Sequence, residues 1–258
     1  MHTAARPELV DDRHQWLLEQ LAAQRRITTN TAADDLGVSV DTIRRDLRLL
    51  HDRGLLRRVH GGAVQLSPLS PSFTGRSSDD SSERTKLADA VVHRFQSGQV
   101  IGLDAGTTTT EIAARIPRTL DVTIITNNPA AATALVDHPS AHVVLIGGNV
   151  DLRWMATTGP TAVDAIRSYH LDLAIVGACS FDLAAGATTR SQHEVATKQA
   201  FLTAAAETLM ALETSKLNTI APFHIADATD VGIIVMKNAT DPNLVTTWRS
   251  AGIDVTTV

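Results

Sequence analysis

Two rhythms of apolar residues run along the chain, and one gives way to the other near residue 83. In the first stretch apolar positions recur every three or four residues, the period of a helix with one buried face. Trp16, Leu17 and Leu21 share such a face over 13–23, where Trp16 is expected to pack in the core. A short helix is predicted over 31–36, with Thr29 and Asn30 as capping candidates and Gly37-Val38 as the turn that follows. Ser39 suits the N-cap of a third helix running to about residue 53, in which Val40, Ile43, Leu47 and Leu50 form the buried stripe. Gly54 fits the left-handed position that stops it. The segments LLRRV and AVQL on either side of His60-Gly61-Gly62 read as a tight β-hairpin.

In the second stretch, short apolar runs alternate with helical patterns. The runs fall at 100–103, 122–126, 143–146, 171–176, 208–212 and 231–235; helices are predicted at 109–115, 129–136, 161–167 and 194–206. Runs rich in Val and Ile, without polar alternation, are expected of strands buried on both faces. The fold class is therefore an α/β main domain, a mostly parallel sheet flanked by helices, behind a small N-terminal helical unit with a hairpin. Between them, residues 67–82 hold seven serines and two prolines without apolar period and read as a linker, from which Phe73 and Arg76 are candidates to dock on a neighbour. The predicted division is 1–66, 67–82 and 83–258.

Composition narrows the class without changing this picture. At 258 residues, 43% apolar and 20% charged, the chain has ordinary globular usage, which excludes disordered and collagen-like classes. No apolar run reaches the roughly 18 residues of a membrane-spanning helix. The first residues carry Glu8, Asp11 and Asp12 and no apolar block, so no signal peptide is read and a cytoplasmic location without membrane contact is expected. Cys179 is the single cysteine, and the ten histidines form no H-E-x-x-H or Cys/His cluster; neither a metal nor a cofactor is expected.

Charge adds more. The net −5 hides an asymmetry, because residues 42–60 contain six arginines against Asp46 and Asp52. A helix, a turn and a second helix with an exposed basic face make a helix-turn-helix, and the hairpin adds a wing. With the apolar stripe turned inward, Arg45 falls nearly opposite it, Arg44 and Arg48 lie on one flank and Thr42 on the other. Such a face offers long donors to base edges and phosphates. Arg57 and Arg58 on the wing suit phosphate or minor-groove contact. A merely solvated charged face, with a hairpin for oligomerisation, would leave the same pattern. Residues 37–47, Gly-Val-Ser-Val-Asp-Thr-Ile-Arg-Arg-Asp-Leu, followed by Gly54-Leu-Leu-Arg-Arg-Val-His-Gly-Gly-Ala63, closely resemble the N-terminal signature of DeoR-family transcriptional regulators. That resemblance implies Ser39, Thr42, Arg44, Arg45 and Arg48 as the DNA-contacting set.

In the large domain, Leu103-Asp104-Ala105-Gly106-Thr107-Thr108-Thr109-Thr110 lies where the first strand turns into its helix. A glycine, threonine hydroxyls and a helix N-terminus make a phosphate cradle in principle, although helix capping alone would explain the turn. It is neither a Walker loop nor a dinucleotide fingerprint. Thr126-Asn127-Asn128, Gly147-Gly148 and Gly177 end the next three strands, and strand ends of an open α/β sheet converge on one crevice. Lys198 and Lys216 are two of only four lysines. The Arg153-Trp154 region reads equally as a cover for a ligand or a surface loop, and Cys179 as a buried, inert thiol.

The pieces Asp104-Ala-Gly-Thr-Thr108, Ile125-Thr-Asn127, Gly147-Gly148, Glu194 with Lys198, and Ser215-Lys216 resemble the DeoR-family sensor domain, which is related to ribose-5-phosphate isomerase. The resemblance implies a phosphosugar isomerase-like fold, and a repressor of carbohydrate genes that a phosphorylated sugar releases from operator DNA. By position, Asp104, Gly106, Thr107, Thr108, Asn127, Gly147, Lys198 and Lys216 become the effector candidates. Two departures stand out: Glu213-Thr214 where the family has Asp before Ser-Lys, and Gly177-Ala-Cys-Ser-Phe-Asp182 where the isomerases carry a denser acidic run. The alternative reading is a phosphosugar isomerase or deaminase with an appended helical domain. One reading helix spans too few base pairs for a specific site, so a homo-oligomer, dimer or tetramer, is expected.

Overall fold

A computed structural model of the chain describes residues 10–66, 72–77, 82–238 and 242–258. The N-terminal unit comprises α1 (Val10–Gln24), β1 (Arg26–Thr28), α2 (Thr29–Leu36), α3 (Val40–Asp52), β2 (Arg57–Val59) and β3 (Gly62–Leu66). Ser39 caps α3 by accepting from the Thr42 N–H at 3.1 Å. The cap of α2 is Thr28, one residue before the predicted candidates, because β1 leaves Thr28 extended with its hydroxyl toward the Thr31 N–H. Ile43, Leu47 and Leu50 of α3 meet Leu17 and Leu21 of α1 in one core. Trp16 packs only at its edge. β3 lies between β1 and β2, both antiparallel to it. Gly62 is required there, because a Cβ would stand 2.0 Å from the Ile27 carbonyl oxygen.

Two helices follow, α4 (Phe73–Ser77) and α5 (Ser82–Val92). The stretch predicted as a linker thus contains a helical turn. Next come β4 (Val100–Leu103), α6 (Thr107–Ala114), β5 (Val122–Thr126), α7 (Pro129–Ala134), β6 (Ala141–Leu145), β7 (Asn149–Asp151), β8 (Ala156–Thr158), α8 (Pro160–Arg167) and β9 (Leu171–Ile175). The chain continues with β10 (Ser180–Asp182), β11 (Gly186–Thr189), α9 (Gln192–Ala204), β12 (Ala205–Leu212), β13 (Thr219–Ile220), β14 (Phe223–Ala226), β15 (Ile233–Met236), α10 (Pro242–Ser250) and β16 (Asp254–Thr257).

Seven strands form one parallel sheet in the order β16-β15-β12-β9-β4-β5-β6. Alternate side chains serve opposite faces: Leu173 and Ile175 join α5, α6 and α7, whereas Ala174 and Val176 join α8, α9 and α10. Both faces are buried, which explains the runs without polar alternation. The chain starts at β4, winds outward through β5 and β6, then returns to β9 on the other side of β4. The switch point between β4 and β9 opens a crevice beyond their C-terminal ends.

The two units share contacts. β13 pairs in parallel with β3, Thr219 opposite Gln65 and Ile220 opposite Leu66. Arg26 reaches the fully buried Asp182 at 2.7 Å, and Arg25 Nη1 donates to the Thr214 carbonyl at 3.0 Å. Among the described residues, no helix is long and apolar enough to cross a membrane.

Candidate functional site

The crevice at the switch point holds a cavity of about 390 Å³. Its wall includes Gly106, Thr107 and Thr108 at the start of α6, Gly177 and Cys179 after β9, Glu194 and Lys198 on α9, and Glu213, Ser215 and Lys216 after β12. Gly106 has no side chain with which to cap α6. Thr109 and Thr110 turn their hydroxyls back on the Gly106 carbonyl, at 3.0 and 2.8 Å. Asn128 fastens the same turn by donating to the Gly106 carbonyl and to Thr110 Oγ1. Nothing in the protein forbids a side chain at Gly106, where a Cβ would meet only Thr109 Oγ1 at 3.5 Å.

Beneath the cavity lies a buried ionic triad. Lys198 Nζ stands 2.5 Å from Asp104 Oδ2 and 3.6 Å from Glu194 Oε1. Asp104 Oδ2 also accepts the Gly177 N–H, and Glu194 Oε2 accepts the Thr189 hydroxyl. A Cβ at Gly177 would press on the Ala105 carbonyl oxygen at 3.3 Å and touch Asp104 Oδ2 at 3.4 Å. Burial disfavours charge on Lys198, but Asp104 and Glu194 outweigh it and hold the ammonium above its ordinary range. Burial raises the proton affinity of Glu194, with Lys198 opposing. Lys216, 3.7 Å from Glu213, is pulled below the ordinary lysine range by burial, with Glu213 opposing.

The structure therefore brings together Gly106, Thr107, Thr108, Lys198 and Lys216, with Asp104 behind them. Asn127 and Gly147 are not part of the cavity wall. β5 and β6 lie on the far side of β4 from the switch point, and Asn127 Nδ2 donates to the Thr157 carbonyl at 3.0 Å. Trp154, which reads from sequence as either a ligand cover or a surface loop, lines the wall, and so does Glu213, the departure from the family's Asp; Arg76 and Arg84 line it without any sequence signal for a ligand site. The serine-rich context concealed Arg76, and only spatial proximity joins Arg84 to Glu213, at 3.5 Å. Asp182 is not in the wall either; it is held by Arg26 and by the Ala184 and Ala185 amides. Among the described residues, no cluster of three or more His, Cys, Asp or Glu is placed to hold a metal.

On the N-terminal unit, Ser39, Arg44, Arg45, Arg48, Arg57 and Arg58 are exposed, and Thr42 is half-buried behind Ser39. Arg44 pairs with Asp41 at 2.8 Å on the open surface, a contact weak enough in water to be exchanged for a phosphate. Asp46 points the other way. It is buried against α1, 2.5 Å from Arg13 Nε and 3.1 Å from His14 Nε2.

A basic winged helix-turn-helix joined to an α/β domain with a cationic cavity defines a ligand-responsive DNA reader. The chain belongs to the DeoR family of transcriptional regulators: the DeoR-like helix-turn-helix domain matches residues 13–68 and the DeoR C terminal sensor domain residues 79–238. It is 31% identical to the HTH-type transcriptional regulator GlpR of Haloferax volcanii over 95% of this chain and 96% of that one. The glycerol-3-phosphate regulon repressor of Escherichia coli is 26% identical over 86% of this chain and 88% of its own. Among solved structures, ribose 5-phosphate isomerase A from Methanocaldococcus jannaschii aligns with 52% of this chain and 53% of its own, at TM-score 0.39 and 18% identity.

Proposed function

We propose that the protein is a cytoplasmic repressor of genes for carbohydrate or polyol metabolism, released from its operator when a phosphorylated sugar or polyol fills the cavity. The observation that carries this reading is the uncapped start of α6 facing the same space as Lys198 and Lys216. Helix N–H groups, hydroxyls and ammonium groups are the donors a dianionic phosphate requires. Family membership and the name of the glycerol-3-phosphate relative support it. The effector set under this proposal is Asp104, Gly106, Thr107, Thr108, Lys198 and Lys216, with Asp104 acting through Lys198.

Calorimetry with sugar phosphates and their unphosphorylated parents, beside a DNA-release titration, tests the proposal. The ester is expected to bind far more tightly than the parent and to weaken operator affinity by roughly 5–150-fold. Lys216→Ala is expected to bind the operator and resist release. Equal affinity for ester and parent, or normal release of the variant, would sink the site. Gly106→Ala should fold normally, given the room around it, and is expected to bind the ester poorly, since a phosphate held by the first N–H groups of α6 would meet the added methyl group.

For the reader, Arg45→Ala is expected to lose about 1–3 kcal/mol of specific binding through a base contact. Arg58→Ala should weaken all sequences alike and reduce the slope of log affinity against log salt by about one. Operator titrations at several salt concentrations separate the two, and unchanged affinity in both variants would remove the helix assignment. Binding is proposed to require a homo-oligomer on repeated half-sites, which sedimentation with and without operator checks.

A further inference from the structure

One wall of the cavity comes from the stretch that connects reader and sensor. Gly75 and Arg76 of α4 line it together with Gly106–Thr109, and α4 packs beside α6. Phe73 is buried, and its N–H donates to the Arg153 carbonyl at 2.8 Å. The Arg76 guanidinium sits over the Trp154 ring, 4.8 Å from its centroid. Trp154 is itself buried against Ala105, Ala156 and Cys179. Stacking occupies the face of a guanidinium, whereas its five donors lie in the plane, in a fork that matches the paired oxygens of a phosphate. Burial lowers the proton affinity of Arg76, with Cys179, Glu194 and Glu213 opposing, which places the guanidinium among the charged groups of the cavity.

We propose that Arg76 is a direct ligand of the effector's anionic group, supplied by an interdomain strap that the effector clamps against α6 and Trp154. The proposal rests on the reading of the cavity as a phosphate-ester site. It also gives a route for the signal. The strap lies in the chain between β3 and α5, and β3 is paired with β13, three residues beyond Lys216. Arg25 of the reader holds the carbonyl of Thr214, in the turn that carries Lys216. The turn that carries Lys216 is thus fastened to the reader through Arg25 and through β3, and Arg76 follows β3 in the chain, so these two cations come from segments next to the reader.

The full chain is compared with Arg76→Met, Arg76→Lys and Lys216→Ala, using glycerol 3-phosphate and ribose 5-phosphate as probes and glycerol and ribose as uncharged controls. Calorimetry is expected to give about a tenfold or greater loss of ester affinity in Arg76→Met, much of it recovered in Arg76→Lys. Trypsin supplies a second readout in the unmutated chain: cutting after Arg76, located by mass spectrometry, is expected to slow when an ester is bound and to be unaffected by the controls. Loss of ester binding in Lys216→Ala, with wild-type affinity in Arg76→Met and an unslowed cut, overturns the strap and leaves the cavity reading intact. Wild-type affinity in both variants overturns both. If Arg76→Met fails to fold, Arg76→Lys and the tryptic protection decide.

Discussion

Asp46→Ala is expected to destabilise the DNA-reading unit by about 3–5 kcal/mol, more than loss of any of its surface arginines. Asp46 lies 33 residues from its partner Arg13, and both side chains are buried between α1 and α3. Two hydrogen bonds join them, at 2.5 and 3.1 Å, with His14 Nε2 a further 3.1 Å contact. The carboxylate raises the proton affinity of Arg13 through those bonds, so alanine at 46 leaves a guanidinium charged, buried and without its counter-ion. Urea unfolding followed by tryptophan fluorescence, with Trp16 reporting on α1, measures the loss. A change below about 1 kcal/mol would mean that water replaces the carboxylate at little cost. The double variant Arg13→Met, Asp46→Leu should recover much of the stability, because removing both charges removes the need for either.

The second large effect is expected at Asp104, whose loss strands Lys198 beneath the cavity with Glu194 3.6 Å away as its remaining carboxylate. Asp104→Ala should cost about 3–5 kcal/mol and abolish effector binding together. The pH dependence gives the sharper check. In the wild type the folded-state pKa of Lys198 is raised, so its contribution is fully present below the unfolded value of 10.5 and is lost only as pH climbs through the raised value. In the variant only Glu194, 3.6 Å away, opposes burial, and the folded pKa of Lys198 is expected to drop below the unfolded value. The unfolded chain then binds more protons than the folded one, so stability should increase as pH rises toward the unfolded value of 10.5. Thermal melts of both proteins from pH 7 to 10 test this; parallel curves would mean that Asp104 does not hold the lysine proton.

Much of the fold is legible because burial on both faces writes itself into β4 and β15 as unbroken apolar runs, and into β5 and β9 as apolar runs interrupted only by Thr123, Thr126 and Asp172. The amphipathic stripe of α3, its Ser39 cap and Gly54 were equally plain, since each is a local rule. What escaped was non-local or polar. β10, β11 and β16 read Ser-Phe-Asp, Gly-Ala-Thr-Thr and Asp-Val-Thr-Thr, too short and too hydroxyl-rich to announce strands. Asp46 reads from spacing as one more charge on a basic helix; only Arg13 across the core makes it internal. Convergence of strand ends pointed to four strands around one site, but sheet order places the crevice between β4 and β9. That favours Gly177 and the turn after β12 over Asn127 and Gly147. Serine-rich composition marks residues 67–82 as a connector and says nothing of what Phe73 and Arg76 touch.

The parallel pairing of β3 with β13 bears on how such regulators can be recombined. A hybrid made by cutting in the serine-rich stretch would carry a foreign wing to a sensor strand shaped for this one. Thr219 and Ile220 would then face an edge of different length and register. Asp182 would lose its arginine wherever the incoming reader lacks the equivalent of Arg26. The unit that can be exchanged cleanly is therefore discontinuous in the chain, and a functional graft needs the 214–220 segment to travel with the reader.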